Sequence, residues 1–161
     1  MRTWLLYRDR ATYNFYDLPD GDWKSEPDIG FWYDELTNMP CLALRNMRNG
    51  FYWRGYVAYN PEHFSPTRDR SKISVHGGIS FIGPMEVYPT VLPEEIQDKT
   101  WIGFDCRELC HGDTPRWQDS RQVAPGDYCR GEYRNLDFVQ EECGRLAVQL
   151  AKMRLEMLLP A

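Results

Sequence analysis

Two short blocks hold the residues most able to do chemistry. The first is Val75-His76-Gly77-Gly78-Ile79-Ser80, and the second runs from Gly103-Phe104-Asp105-Cys106 through Cys110-His111-Gly112-Asp113. A histidine near carboxylates suits acid–base work, with His76 as base or acid, oriented by Asp105 or Asp113, on a hydrolysable substrate. No nucleophile stands out, because Cys106 would serve only if it were exposed. The paired glycines suit a different chemistry: Gly77 and Gly78 let the backbone approach a ligand closely and offer N–H donors to an anion. Lys72, with Arg68 and Arg70, brings charge near them in sequence, and Trp101 or Tyr133 supplies an aromatic face for a base or ring. A metal centre is the third option, since His and Asp suit Zn, Mn or Fe, and Cys106-x-x-x-Cys110-His111 adds thiolates. That spacing lacks the two separated ligand pairs of a structural zinc motif, so no metal ligand and no cofactor are assigned.

Each block also has a plainer reading. His-Gly-Gly equally marks a bend or bulge in a strand, and a strand histidine is commonly a hydrogen-bonded structural group. Asp113 in Cys110-His111-Gly112-Asp113-Thr114-Pro115 equally caps its own turn. Cys106 shares an alternation with Ile102 and Phe104, which fits a small packed hydrophobe.

The elements that would position these groups follow from hydrophobic periodicity. Thr3 to Tyr7 suits an opening strand, followed by a turn-rich stretch from Asp17 to Asp28. Asn49-Gly50 is a hairpin signal, because both residues tolerate positive φ. Its flanks, Cys41 to Met47 and Phe51 to Tyr59, carry strand formers. Ile73, Val75, Ile79 and Phe81 recur every second residue, which predicts a strand from Ile73 to Gly83 with His76 on its less apolar face. Residues 84–95 are interrupted by prolines and read as an excursion without long elements. Thr100 to Cys106 predicts a further strand, with Trp101, Gly103 and Asp105 opposite Ile102, Phe104 and Cys106. If it neighbours the His76 strand, His76 and Asp105 meet on one surface, joined by His111 and Asp113 from the following loop.

Arg107 to Tyr133 is long and polar, which in a small domain signals function or disorder. A helix closes the chain, with Asn135 as N-cap and Asp137 in its first turn. Val139, Cys143, Leu146, Leu150, Met153 and Met157 form its apolar stripe, and Glu142, Arg145, Gln149, Lys152 and Glu156 the polar one. Val148, Ala151, Leu155 and Leu158 widen the apolar arc. That extra surface fits either a helix wedged between sheet and loops or last turns that pack on another subunit, giving a homo-oligomer.

The 161 residues suit one domain spanning 1–161, and an aromatic share of 14% suits a sheet-rich fold. The expected class is α+β: an antiparallel sheet with hairpins, long polar loops and the C-terminal amphipathic helix packed on the sheet. A formal charge of −5 argues against general nucleic-acid binding. No signal peptide or membrane-length segment is evident, and five irregularly spaced cysteines read as reduced thiols. The expected location is therefore cytoplasmic.

At Val75 to Phe81, Trp101 to Cys106, His111 to Asp113 and the helix from Asn135, the chain resembles a group of small uncharacterised proteins of bacteriophages and prophages. Their shared pattern is close to V-H-G-G-[IL]-[ST]-F, then W-x-G-F-D-C with an H-x-G-D-like element, then a closing helix. The resemblance covers roughly the C-terminal two-thirds. It implies a mobile-element setting in a host cytoplasm, where accessory proteins sequester a nucleotide signal or block a defence protein. The leading expectation is a protein that binds a small anionic or nucleotide-like ligand through His76, Gly77, Gly78, Asp105, His111 and Asp113, with Lys72, Trp101 and Tyr133 in support. The residues do not decide whether a reaction follows binding. The competing classes are an inhibitor that binds a host protein through its surface and, third, a metal-dependent hydrolase.

Overall fold

The computed structural model describes residues 1–12, 15–17, 20–47, 51–86, 93–107 and 133–159. His111, Asp113, Cys110, Cys129, the Asn49-Gly50 pair and nearly all of the polar connection after Arg107 lie outside the described residues. In chain order the elements are β1 (Arg2–Trp4), α1 (Tyr7–Thr12), α2 (Asp22–Ser25), β2 (Ile29–Tyr33), β3 (Pro40–Asn46) and β4 (Tyr52–Tyr59). They continue with α3 (Pro66–Asp69), β5 (Phe81–Pro84), α4 (Glu94–Gln97), β6 (Thr100–Asp105) and α5 (Leu136–Leu158). The strands form one six-stranded sheet in the order β1-β2-β3-β4-β6-β5, with every neighbouring pair antiparallel. With α5 packed on the sheet, the architecture is the α+β class that the sequence predicts. No helix among the described residues is long and apolar enough to cross a membrane.

The hairpin is present as β3 and β4, in register from Cys41↔Val57 to Asn46↔Tyr52. Alternation in β6 also holds, and the helix begins where expected: the Asn135 side chain accepts a hydrogen bond from the Phe138 N–H at 3.0 Å. One face of the sheet, carrying Cys41, Ala43, Trp53, Val57, Ile102 and Phe104, packs against Val139, Cys143, Leu146, Ala147 and Leu150 of α5. Gly55 allows this approach: a Cβ there would stand 2.5 Å from the Phe104 ring and 2.9 Å from Cys143 Sγ. The opposite face is also covered. Ile29, Phe31, Leu42, Leu44, Tyr56 and Trp101 pack there with Met85 and with Ile96 of α4.

Three expectations need correction. The opening strand is Arg2–Trp4, and Tyr7 begins a helix. Its end is fixed by Asp28, whose N–H donates to the Trp4 carbonyl and whose carboxylate accepts from the Leu6 N–H. The strand expected over Ile73–Gly83 shrinks to Phe81–Pro84. Upstream of it, the Gly78 N–H bonds back to the Val75 carbonyl at 2.9 Å, closing a turn in which Gly77 and Gly78 have φ of 66° and 80°. Such angles favour glycine and end a period-two ladder. Ile73, Val75 and Ile79 therefore pack on the α5 side, whereas Phe81 faces the other cluster. Thirdly, Glu142 is not on a solvated stripe. It is 5% exposed, because its carboxylate is taken up by the chain segment laid across the helix.

Candidate functional site

That segment explains the His-Gly-Gly block. Residues 74–76 lie against α5 as a strap, bonded to helix side chains. The His76 N–H donates to Glu142 Oε1 at 2.8 Å, and Arg145 donates to both oxygens of the same carboxylate at 2.7 Å. One turn-pair along the helix, Gln149 Oε1 accepts from the Ser74 N–H and Gln149 Nε2 donates to the Ser74 carbonyl, both at 2.8 Å. Glu142 and Gln149 are seven residues apart, so both project toward the strap. The His76 ring packs edge-on against Phe138 with centroids 5.1 Å apart.

Those expected site residues that the structure describes do not gather around one point. The His76-Gly77 turn reaches the end of β6, where a Cβ on Gly77 would lie 3.5 Å from the Asp105 carbonyl oxygen. Their side chains diverge, however. His76 lies on the α5 side, while Asp105 projects from the face of Trp101 and Tyr56. There its carboxylate accepts the Arg107 N–H at 3.2 Å, and its charge adds to the burial that raises the Tyr56 phenol. Gly77 and Gly78 are exposed. Lys72 donates to Asp69 at 3.2 Å, beside Arg68 on the same carboxylate. Trp101 is fully buried and its ring N–H points to the Ile96 carbonyl, so no ligand ring stacks on it. Tyr133 is also committed: its hydroxyl donates to Glu26 at 2.7 Å and its ring stacks on Phe51. Among the described residues, no group of three or more His, Cys, Asp or Glu side chains is placed to hold a metal ion.

Two features escape the sequence reading. The first is a buried charge network. Asp28 accepts hydrogen bonds from Arg10 Nε at 2.6 Å, Arg45 Nη2 at 2.7 Å and the Leu6 N–H at 2.8 Å. Arg45 also donates to the carbonyls of Trp23 and Glu26, and its guanidinium sits over the Phe51 and Trp53 rings at 4.9 and 5.1 Å. The Asp28 and Arg45 side chains are both fully buried. Burial alone would push the Asp28 carboxyl up. The hydrogen bonds from Arg10, the Leu6 N–H and Arg45 outweigh it and hold the group below the ordinary 3.8. Glu26 extends the network to Tyr133 and to the Leu136 N–H at the start of α5. With its groups mutually satisfied, this cluster anchors the N-terminal segment, β2, β3 and α5 to one another.

The second is a groove of about 610 Å3 at the other end of the helix. Its floor includes Leu150 and Ala151 of α5 with the buried ring of Phe64, and its walls come from the β2–β3 turn, the end of β4 and the start of β6. Asp34 shapes the turn: its Oδ2 accepts from the N–H and hydroxyl of Thr37, and its carbonyl accepts from the Asn38 N–H. Asn38 takes φ of 56°, a conformation that asparagine tolerates better than most residues. Tyr59 forms a half-buried aromatic wall, edge-on to Phe64 at 5.1 Å, and His63 stands beside it. Lys99 and Arg154 bring two positive charges to the groove, and among the described residues neither side chain has a hydrogen-bond or ion-pair partner.

Among the described residues, none of those expected to form the site lines this groove. Comparison with protein-family models, curated proteins and solved structures gives no match to this chain.

Proposed function

We propose that the protein binds a small anionic ligand in the groove between α5 and the end of the sheet. The ligand class is the one the sequence suggests, while the site moves away from His76. The observation that carries the reading is the presence of two cations, Lys99 and Arg154, that have no partner among the described residues, on one groove of a chain whose formal charge is −5. A volume of about 610 Å3 suits a metabolite-sized molecule. A locally positive cleft on an acidic protein also concentrates anions where the rest of the surface repels them.

Isothermal titration with inorganic phosphate at low ionic strength tests this. Binding by the native chain and its loss in Lys99→Gln/Arg154→Gln, at unchanged thermal stability, supports the reading; a native chain that binds no anion refutes it. A second reading, a protein-binding inhibitor, is favoured by the exposure of Leu155, Met157, Leu158 and Leu159 at the end of α5. Light scattering of the purified chain separates a self-associating surface, which gives a dimer mass, from one that awaits a different protein, which gives a monomer.

A further inference from the structure

The groove also carries a charge of the opposite sign. Asp98 closes α4 as its C-cap and immediately precedes Lys99. Its carboxylate, like the two cations, has no hydrogen-bond or ion-pair partner among the described residues. A carboxylate beside an anion site repels a bare anion, and it becomes favourable only when the ligand brings donors to it. The cations fit acceptor oxygens, Asp98 fits hydroxyl or N–H donors, and the apolar side of the groove fits a flat ring. Met39, Tyr59 and Pro61 make that side.

Resting on the anion-binding reading above, we propose that the groove takes a nucleoside monophosphate. The phosphate lies at Lys99 and Arg154, the ring lies along Tyr59, and Asp98 accepts hydrogen bonds from the sugar hydroxyls or base N–H groups. Asp98 is then the residue that separates a nucleotide from simpler anions. Lys99 and Arg154 hold any phosphate, whereas Asp98 penalises those that cannot donate to it.

The test is calorimetric titration of AMP, GMP, CMP, UMP and inorganic phosphate into the native chain, Asp98→Ala and Lys99→Gln/Arg154→Gln. The expected result is at least one nucleoside monophosphate bound about tenfold more tightly than phosphate. Asp98→Ala removes that margin without weakening phosphate, and the double variant loses both ligands. Phosphate binding with no nucleotide margin, or a margin that survives Asp98→Ala, overturns the nucleotide assignment and leaves the anion site standing. Failure of every ligand to bind the native chain overturns both. Thermal unfolding of each variant, expected within a degree or two of the native midpoint because all three side chains line an open groove, confirms that lost binding is not lost folding.

Discussion

Replacing Asp28 by alanine is expected to be the most damaging single change in the described structure. The carboxylate is the counter-charge shared by Arg10 and Arg45, and both guanidiniums remain buried when it goes. Arg45 keeps its hydrogen bonds to the Trp23 and Glu26 carbonyls, but its remaining ionic contact is a longer one of 3.5 Å to the Glu26 carboxylate, and the Leu6 N–H loses its acceptor. Breaking a buried pair from one side costs about 3–5 kcal/mol, much of the roughly 5–15 kcal/mol that holds a domain folded. With a urea m-value of about 2 kcal/mol/M, the denaturation midpoint falls by about 2 M. The assay is urea unfolding followed by tryptophan fluorescence, with far-UV circular dichroism as a second probe. A shift below about 0.5 M would mean instead that the buried cations do not depend on Asp28. The pH dependence has a definite sign. The folded pKa lies below the ordinary 3.8, so the contribution of Asp28 is complete above that value and is lost as pH falls toward the folded pKa. The stabilities of native and Asp28→Ala chains therefore converge on acidification below about pH 4.

Other expectations concern the strap and the core. Glu142→Ala leaves the His76 N–H without its acceptor and costs about 1–3 kcal/mol, with faster amide exchange at His76 while the amides of β4 stay protected. Gly77→Ala, at φ of 66°, costs about 1–2 kcal/mol in denaturant unfolding through backbone strain, because the added Cβ meets only an ordinary contact. His76→Ala leaves phosphate affinity within about twofold of native in the same titration, since the ring lies on Phe138 and does not line the groove. Burial raises the Cys143 thiol and, with the Asp34 charge, pushes Cys41 up to about 12. Both should resist iodoacetamide at pH 8 until the chain unfolds, as read by peptide mass mapping.

What was legible in the sequence is what local periodicity encodes. Cys41 to Tyr59, Thr100 to Cys106 and the helix from Asn135 declare themselves by steps of two or of three and four, and the structure contains all three. The strap's regular apolar spacing suggests a strand, but its backbone bonds go to Glu142 and Gln149, 66 and 75 residues away. Trp101 alternates onto the same face as Gly103 and Asp105, yet Ile96 and Met85 roof that face from other segments. Arg10, Asp28 and Arg45 resemble ordinary surface charges until the fold brings them together, and nothing in their spacing announces a buried network. The groove is still less visible. Its working groups come from four separate segments and form no motif.

We place ligand binding in the groove and not at the His-Gly-Gly turn. Amide chemical-shift mapping on isotope-labelled protein during an AMP titration distinguishes the two locations. The predicted result is saturable shifts at Asn38, Tyr59, His63, Lys99 and Thr100, with His76 to Gly78 unmoved. Shifts centred on His76 to Gly78, or none at the groove, would contradict it.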